Sequence, residues 1–107
     1  MRNVTFAATQ FACTWERKAN IAKAKDMVRA AAAKGAQVIL LPELFETPYF
    51  CQDQSADHFA LAAPFEGNPL IAEFAALAKE LGVVLPVSFF ERAGHAHFSS
   101  LAIVDAD

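Results

Sequence analysis

The stretch Val38-Ile39-Leu40-Leu41-Pro42-Glu43-Leu44-Phe45-Glu46-Thr47-Pro48-Tyr49-Phe50-Cys51-Gln52 decides how the rest of the chain is read. Its first four residues are a continuous apolar run between Gly35 and Pro42, the pattern of a strand buried on both faces of a parallel sheet. Pro42 has no N–H to give to a ladder, so the strand ends there and Glu43 falls at its carboxyl end. Ligands bind at that edge in open α/β sheets. A carboxylate held among Leu40, Leu41, Leu44 and Phe45 loses hydration when charged, which suits it to accept a proton as a general base. The structural alternative is a Glu that caps a backbone N–H or pairs with a lysine.

Working outward, Val4 to Phe11 reads as a first strand. From Glu16 to Lys34 the apolar positions Ile21, Ala24, Val28, Ala31 and Ala32 recur at three- and four-residue steps, which predicts an amphipathic helix closed by Gly35. Six basic residues, Arg17, Lys18, Lys23, Lys25, Arg29 and Lys34, fall here. Their expected place is a solvated outer face, because the chain is acidic overall and Glu16 and Asp26 interrupt the run. With Gln37 to Leu41 this makes strand, helix, strand, a unit almost always built as a right-handed parallel crossover. Thr47 to Ala63 is irregular, with a short helix possible from Ser55, and a long loop at such an edge commonly carries function. Asn68-Pro69 starts a second helix whose apolar face is Leu70, Ile71, Phe74, Leu77, Ala78 and Leu81, ended by Gly82. Val83 to Phe90 is a third buried strand, and Pro86 within it points to an irregular or edge position. Glu91 to His95 reads as a hairpin turn into a fourth strand from about His97 to Val104. The fold class is α/β, with a mixed, mostly parallel sheet and two main helices on one face.

The chain has 107 residues, of which 55% are apolar, and a mean hydropathy of +0.27. A domain this short buries only about two thirds of its unfolded-chain surface, so part of the apolar surface is expected to meet another layer or chain. A net charge of −3 and a pI near 5.5 leave no electrostatic footprint for nucleic acid or an anionic membrane. The start runs straight into a strand pattern with no apolar signal region, which makes the cytoplasm the expected location and reduced thiols the expected state of Cys13 and Cys51. No Gly-rich phosphate loop is present.

Other chemistries have thinner support. Cys51 and His58 could be a nucleophile and base, but a seven-residue gap across a loop fixes no geometry. His95 and His97 could share a strand face, but they flank a turn and lack further ligands nearby, so no metal site is expected. Tyr49 offers a ring and a hydroxyl suited to lining a substrate site, or it simply packs.

The first strand, the basic helix, the run ending Leu41-Pro42-Glu43, the segment Phe89-Phe90-Glu91 and above all Glu43-Leu44-Phe45-Glu46-Thr47-Pro48-Tyr49-Phe50-Cys51-Gln52 together resemble the nitrilase superfamily of carbon-nitrogen hydrolases. The ten-residue string is similar to its N-carbamoylputrescine amidase branch, and the resemblance covers essentially the whole chain. It implies the N-terminal portion of an α-β-β-α sandwich, residues 1–107 being part of a single hydrolase domain. It also implies a homo-oligomer acting on a small carbamoyl amide without a cofactor, through a Glu, Lys and Cys triad. Glu43 matches the general base, and Tyr49 falls in the stretch that lines the substrate site. Neither Cys13 nor Cys51 stands in the nucleophile's motif, so the Lys and Cys are expected in later segments and this chain alone is expected to be inactive. Ser99-Ser100 departs from the family's usual Asn-Ser. The competing readings are another N-carbamoyl amide hydrolase, of β-ureidopropionase or N-carbamoyl amino acid amidase type, and a non-catalytic α/β interaction module. Glu46 and Asp53, with no basic residue in the loop, favour a cationic substrate tail.

Overall fold

The computed structural model describes residues 2–53 and 55–107. Along these residues run β1 (Phe6–Ala8), α1 (Arg17–Ala33), β2 (Val38–Leu40), α2 (Pro69–Leu81), β3 (Leu85–Ala93) and β4 (Ala96–Val104). Short 3-10 turns at Phe50–Asp53 and Ala56–Leu61 fill the connection after β2, the second capped by the Ser55 hydroxyl as the sequence suggested.

The local chemistry sets the helix ends. Asn68 Oδ1 accepts from the Leu70 N–H at 3.0 Å, Pro69 opens α2, and Gly82 ends it in the left-handed region at φ +67°. α1 has no side-chain cap at Glu16. Its first turn is instead tied down by Asn20, which is buried beside Ala24 and Val28 on the inward stripe. Those residues meet Leu70, Phe74, Leu77 and Ala78 of α2 and Ile39, Leu41, Leu85, Val87 and Phe89 of the sheet in one core. Both helices therefore lie on one face of the sheet. The basic residues of α1 are less idle than expected: Lys25 pairs with Glu73 at 3.1 Å, and Arg29 pairs with Glu80, clipping α1 to α2. Arg17 pairs with Glu46 at 2.6 Å. Solvent screens such surface pairs, so each adds little to stability.

β1 and β2 pair in parallel with Phe6 opposite Val38 and Ala8 opposite Leu40. β2 meets β3 at a single parallel bridge, where Val84 N–H donates to Gln37 O (2.9 Å) and Ile39 N–H donates to Val84 O (3.0 Å). The next donor in that ladder would be residue 86, and Pro86 has no N–H, so the pairing stops there. β3 and β4 pair antiparallel from Leu85 opposite Val104 to Ala93 opposite Ala96. Two of the three joins between neighbouring strands are thus parallel. The predicted Glu91–His95 turn is shorter in fact: only Gly94 and His95 lie outside the ladder, with Gly94 at φ +60° and no positive φ at His95. A glycine at the first central position is what a type II′ hairpin turn requires.

The sequence reading of β2 needs correction. The apolar run of β2 is covered on one face only: Ile39 and Leu41 are buried, whereas Leu40 is 47% exposed. Phe6 (73%), Leu101 (56%) and Ile103 (61%) share that open side. A radius of gyration of 14.2 Å, against about 13 Å for a compact domain of this length, and extents of 46 × 27 × 25 Å fit a single sheet layered on one side.

Two outcomes follow. Asn68→Ala, which orphans the Leu70 N–H, lowers stability by about 0.5–2 kcal/mol, seen as a lower denaturant midpoint at unchanged slope. The 107-residue chain self-associates through the open face, and Leu101→Lys with Ile103→Lys shifts it toward monomer in sedimentation experiments.

Candidate functional site

Glu43 leaves the end of β2 on the open face of the sheet. Its Oε2 accepts from the Ser99 hydroxyl of β4 at 2.9 Å. Among the described residues no cation pairs with it and no backbone N–H bonds to its carboxylate, so neither structural alternative raised from sequence is realised. It lines a concavity of about 340 Å³ with Leu40, Leu41, Ser88, Ser99, Ser100 and Leu101. The expected burial of the carboxylate is not found, because Glu43 itself is exposed. Phe45 turns the other way into the core, meeting Phe74 edge-to-face at 5.4 Å between ring centres, whereas Leu44 is buried outside that cluster, beside Phe50, Leu61 and Phe90.

That divergence has a backbone cause. Consecutive side chains of an extended strand alternate, yet Leu44 and Phe45 are both buried while Glu43 points out. The chain achieves this with Leu44 at φ +51°, in the left-handed region that costs an L-residue about 1–2 kcal/mol. The Leu44 N–H donates to the Ser88 Oγ of β3 at 2.9 Å, both groups buried. From below, Asn20 Nδ2 donates to Glu46 O (2.8 Å) and to Thr14 O (2.6 Å), while its Oδ1 accepts from the Thr14 N–H (2.9 Å). The Cys13 thiol donates to Phe45 O at 3.2 Å. Farther on, Ala63 N–H donates to Phe90 O and Arg92 N–H to Ala63 O, each at 3.0 Å, so the connection closes along the β3 edge that β2 has left.

Tyr49 is about half exposed. The negative charge of Glu43, followed by that of Cys51, pushes its phenol above the ordinary tyrosine value. Burial pushes the Cys13 thiol up and Lys23 offsets this in part, which makes Cys13 a poor nucleophile. Cys51 is exposed, and both cysteines are free. His58 does not serve Cys51: its Nε2 lies 3.6 Å from Asp53 Oδ2 and its ring stacks on Trp15. His97 stacks on Phe59 with ring centres 4.5 Å apart, while His95 sits exposed in the turn. Phe50, Cys51, His58, Phe59 and Phe90 line a groove of about 370 Å³. It adjoins the Glu43 concavity because Phe90 is paired with Ser99 across the hairpin. Glu46, read as a selector of cationic tails, is neutralised by Arg17. That part of the charge argument passes to Asp53.

Sequence reasoning missed Ser88 and Asn20, and marked Ser99 only as a departure from the family's usual Asn-Ser. A lone hydroxyl in the apolar run of β3 and a buried-stripe asparagine in α1 were the available signals; nothing in the letters marks Leu44 as left-handed.

The chain is similar to known proteins along nearly its whole length. The chain is 57% identical over 106 residues to N-carbamoylputrescine amidase of Solanum lycopersicum, a match covering 99% of the chain and 35% of that protein. It is 54% identical to N-carbamoylputrescine amidase of Arabidopsis thaliana, covering 99% of the chain and 36% of that protein. The chain thus spans about a third of the length of the curated relatives it matches. The crystal structure of a carbon-nitrogen hydrolase from Helicobacter pylori G27 superposes with a TM-score of 0.82 at 32% identity, over 96% of the chain and 36% of that structure. Residues 5–107 match the carbon-nitrogen hydrolase family, and the chain belongs to it.

Proposed function

We propose that this chain supplies the general base of an amidase that hydrolyses the carbamoyl C–N bond of N-carbamoylputrescine. The observation that carries the reading is the Glu43 carboxylate, set at the end of β2 in a concavity and oriented by a neutral hydroxyl instead of an ammonium or guanidinium group. The identity to two N-carbamoylputrescine amidases supports the substrate.

In this mechanism Glu43 takes the proton of a cysteine thiol contributed by residues outside these 107, and the thiolate attacks the carbamoyl carbon. A lysine, also outside them, stabilises the tetrahedral oxyanion. Glu43 returns the proton to the departing amine, releasing putrescine and leaving a carbamoyl thioester. Water, deprotonated by the same carboxylate, then cleaves the thioester, and the carbamate breaks down to ammonia and carbon dioxide. Tyr49 lines the substrate site beside Glu43. The aromatic groove suits the methylene chain and the cationic end of a diamine, with Asp53 at hand for the ammonium. The assembled enzyme works without a cofactor, as a homo-oligomer in the cytoplasm.

In the full-length enzyme, Glu43→Gln lowers kcat by about 10²–10⁴-fold, the usual contribution of a general base. A variant with undiminished turnover would instead make this chain an interaction module. Cys13→Ala and Cys51→Ala both keep their turnover, and in the native chain the exposed Cys51 is alkylated first by a thiol reagent, as mass spectrometry of the labelled peptides would show. Asp53→Asn raises KM for the diamine substrate by about two- to five-fold, the weight of one exposed ion pair, while kcat stays unchanged.

A further inference from the structure

We infer that Ser88 is a positioning residue for Glu43: its buried hydroxyl latches the Leu44 amide, holds Leu44 in the left-handed conformation and so aims the preceding carboxylate out of the core toward Ser99. The inference rests on the general-base reading only for its catalytic meaning; the geometry stands by itself.

Three observations converge on it. Leu44 carries the only positive φ of a non-glycine among the described residues, and it lies immediately after Glu43. A strained backbone angle persists only where its surroundings fix it. The contact that fixes this one is the 2.9 Å hydrogen bond from the Leu44 N–H to Ser88 Oγ, buried from solvent, where an unpaired amide is costly. On the other side of Glu43, Pro42 has its own φ set by the ring. With both neighbours restrained, the directions open to the Cα–Cβ bond of Glu43 are narrowed. Ser88 and Ser99 stand diagonally across the β3–β4 hairpin, Ser88 opposite Leu101 and Ser99 opposite Phe90, and both line the concavity with Glu43. One hydroxyl fixes the backbone; the other orients the carboxylate it leads to.

The chain contains a single tyrosine, so its phenolate absorbance reports Tyr49 alone, and Glu43 is the largest influence on that phenol. The test is a phenol titration of the 107-residue chain and of its Ser88→Ala, Ser88→Thr and Glu43→Gln variants, with amide hydrogen exchange at Leu44. Glu43→Gln lowers the phenol's midpoint toward the ordinary value. Ser88→Ala reproduces most of that fall although Glu43 is still present, while Ser88→Thr, which keeps the hydroxyl, titrates as the native chain, and the native Leu44 amide exchanges slowly. A native titration in Ser88→Ala overturns the inference. If Ser88→Ala does not hold its fold, the other two measurements decide: fast exchange at the native Leu44 amide, or a lowered midpoint in Ser88→Thr, overturns it equally. None of these readouts depends on turnover. Full activity of a Glu43→Gln enzyme would therefore remove the general-base reading and leave the positioning claim untouched.

Discussion

The left-handed turn at Leu44 is the constraint on which the functional edge depends. Between Pro42 and Phe45 the chain must send one charged side chain to the open face and bury two apolar ones, Leu44 beside Phe50, Leu61 and Phe90 and Phe45 in the helix-packed core, within three residues and without a glycine. Burial of Leu44 and Phe45 supplies the compensation: a fully buried Leu or Phe is worth about 1.5–3 kcal/mol, more than the left-handed angle costs. Packing against Phe74 thus serves the site as well as the core, because it pins the residue after the kink. Asn20 and the Cys13 thiol hold the same segment from the α1 side, so the loop bearing Glu43 is anchored at the backbone on two flanks.

β3 is the second organising element. Its edge toward β2 is satisfied by three different partners in succession: a strand bridge at Val84, a loop amide at the Ser88 side chain, and the returning chain at Phe90 and Arg92. Pro86 forces this succession by withdrawing its donor. A regular parallel partner would have continued past that point and occupied the space where the Glu43 concavity opens. The proline that the sequence marked as an irregularity is therefore what makes room for the site.

Much of this was legible in the letters because the signals were local. Asn68-Pro69 and Gly82 bracket α2 to the residue, and the buried run Val83 to Phe90 found β3. Glu43 stood out as a charge appearing abruptly after an apolar run and a proline. What could not be read were features set by distant partners. β1 is confined to three residues because β2 offers only three to pair with, whatever the apolar pattern from Val4 to Phe11 suggests. The β2 run looked buried on both sides because composition reports apolarity and not what covers it. The charges of α1 found acids on α2 and in the loop, contacts that no helical spacing encodes. The resemblance to carbon-nitrogen hydrolases named the base, yet the hydroxyls that hold it belong to strands more than forty residues away in sequence.

The tight Gly94-His95 connection has a consequence of its own. Side chains along a strand change sides at every step, so the length of this link decides which hydroxyl of Ser99-Ser100 looks toward Glu43 and which toward Glu91. Lengthening the link by one residue would slide β4 by one place and exchange the two. The two-residue link therefore acts as a ruler for the carboxylate at the far edge, and insertions there are constrained by chemistry although Gly94 and His95 do not line the Glu43 concavity.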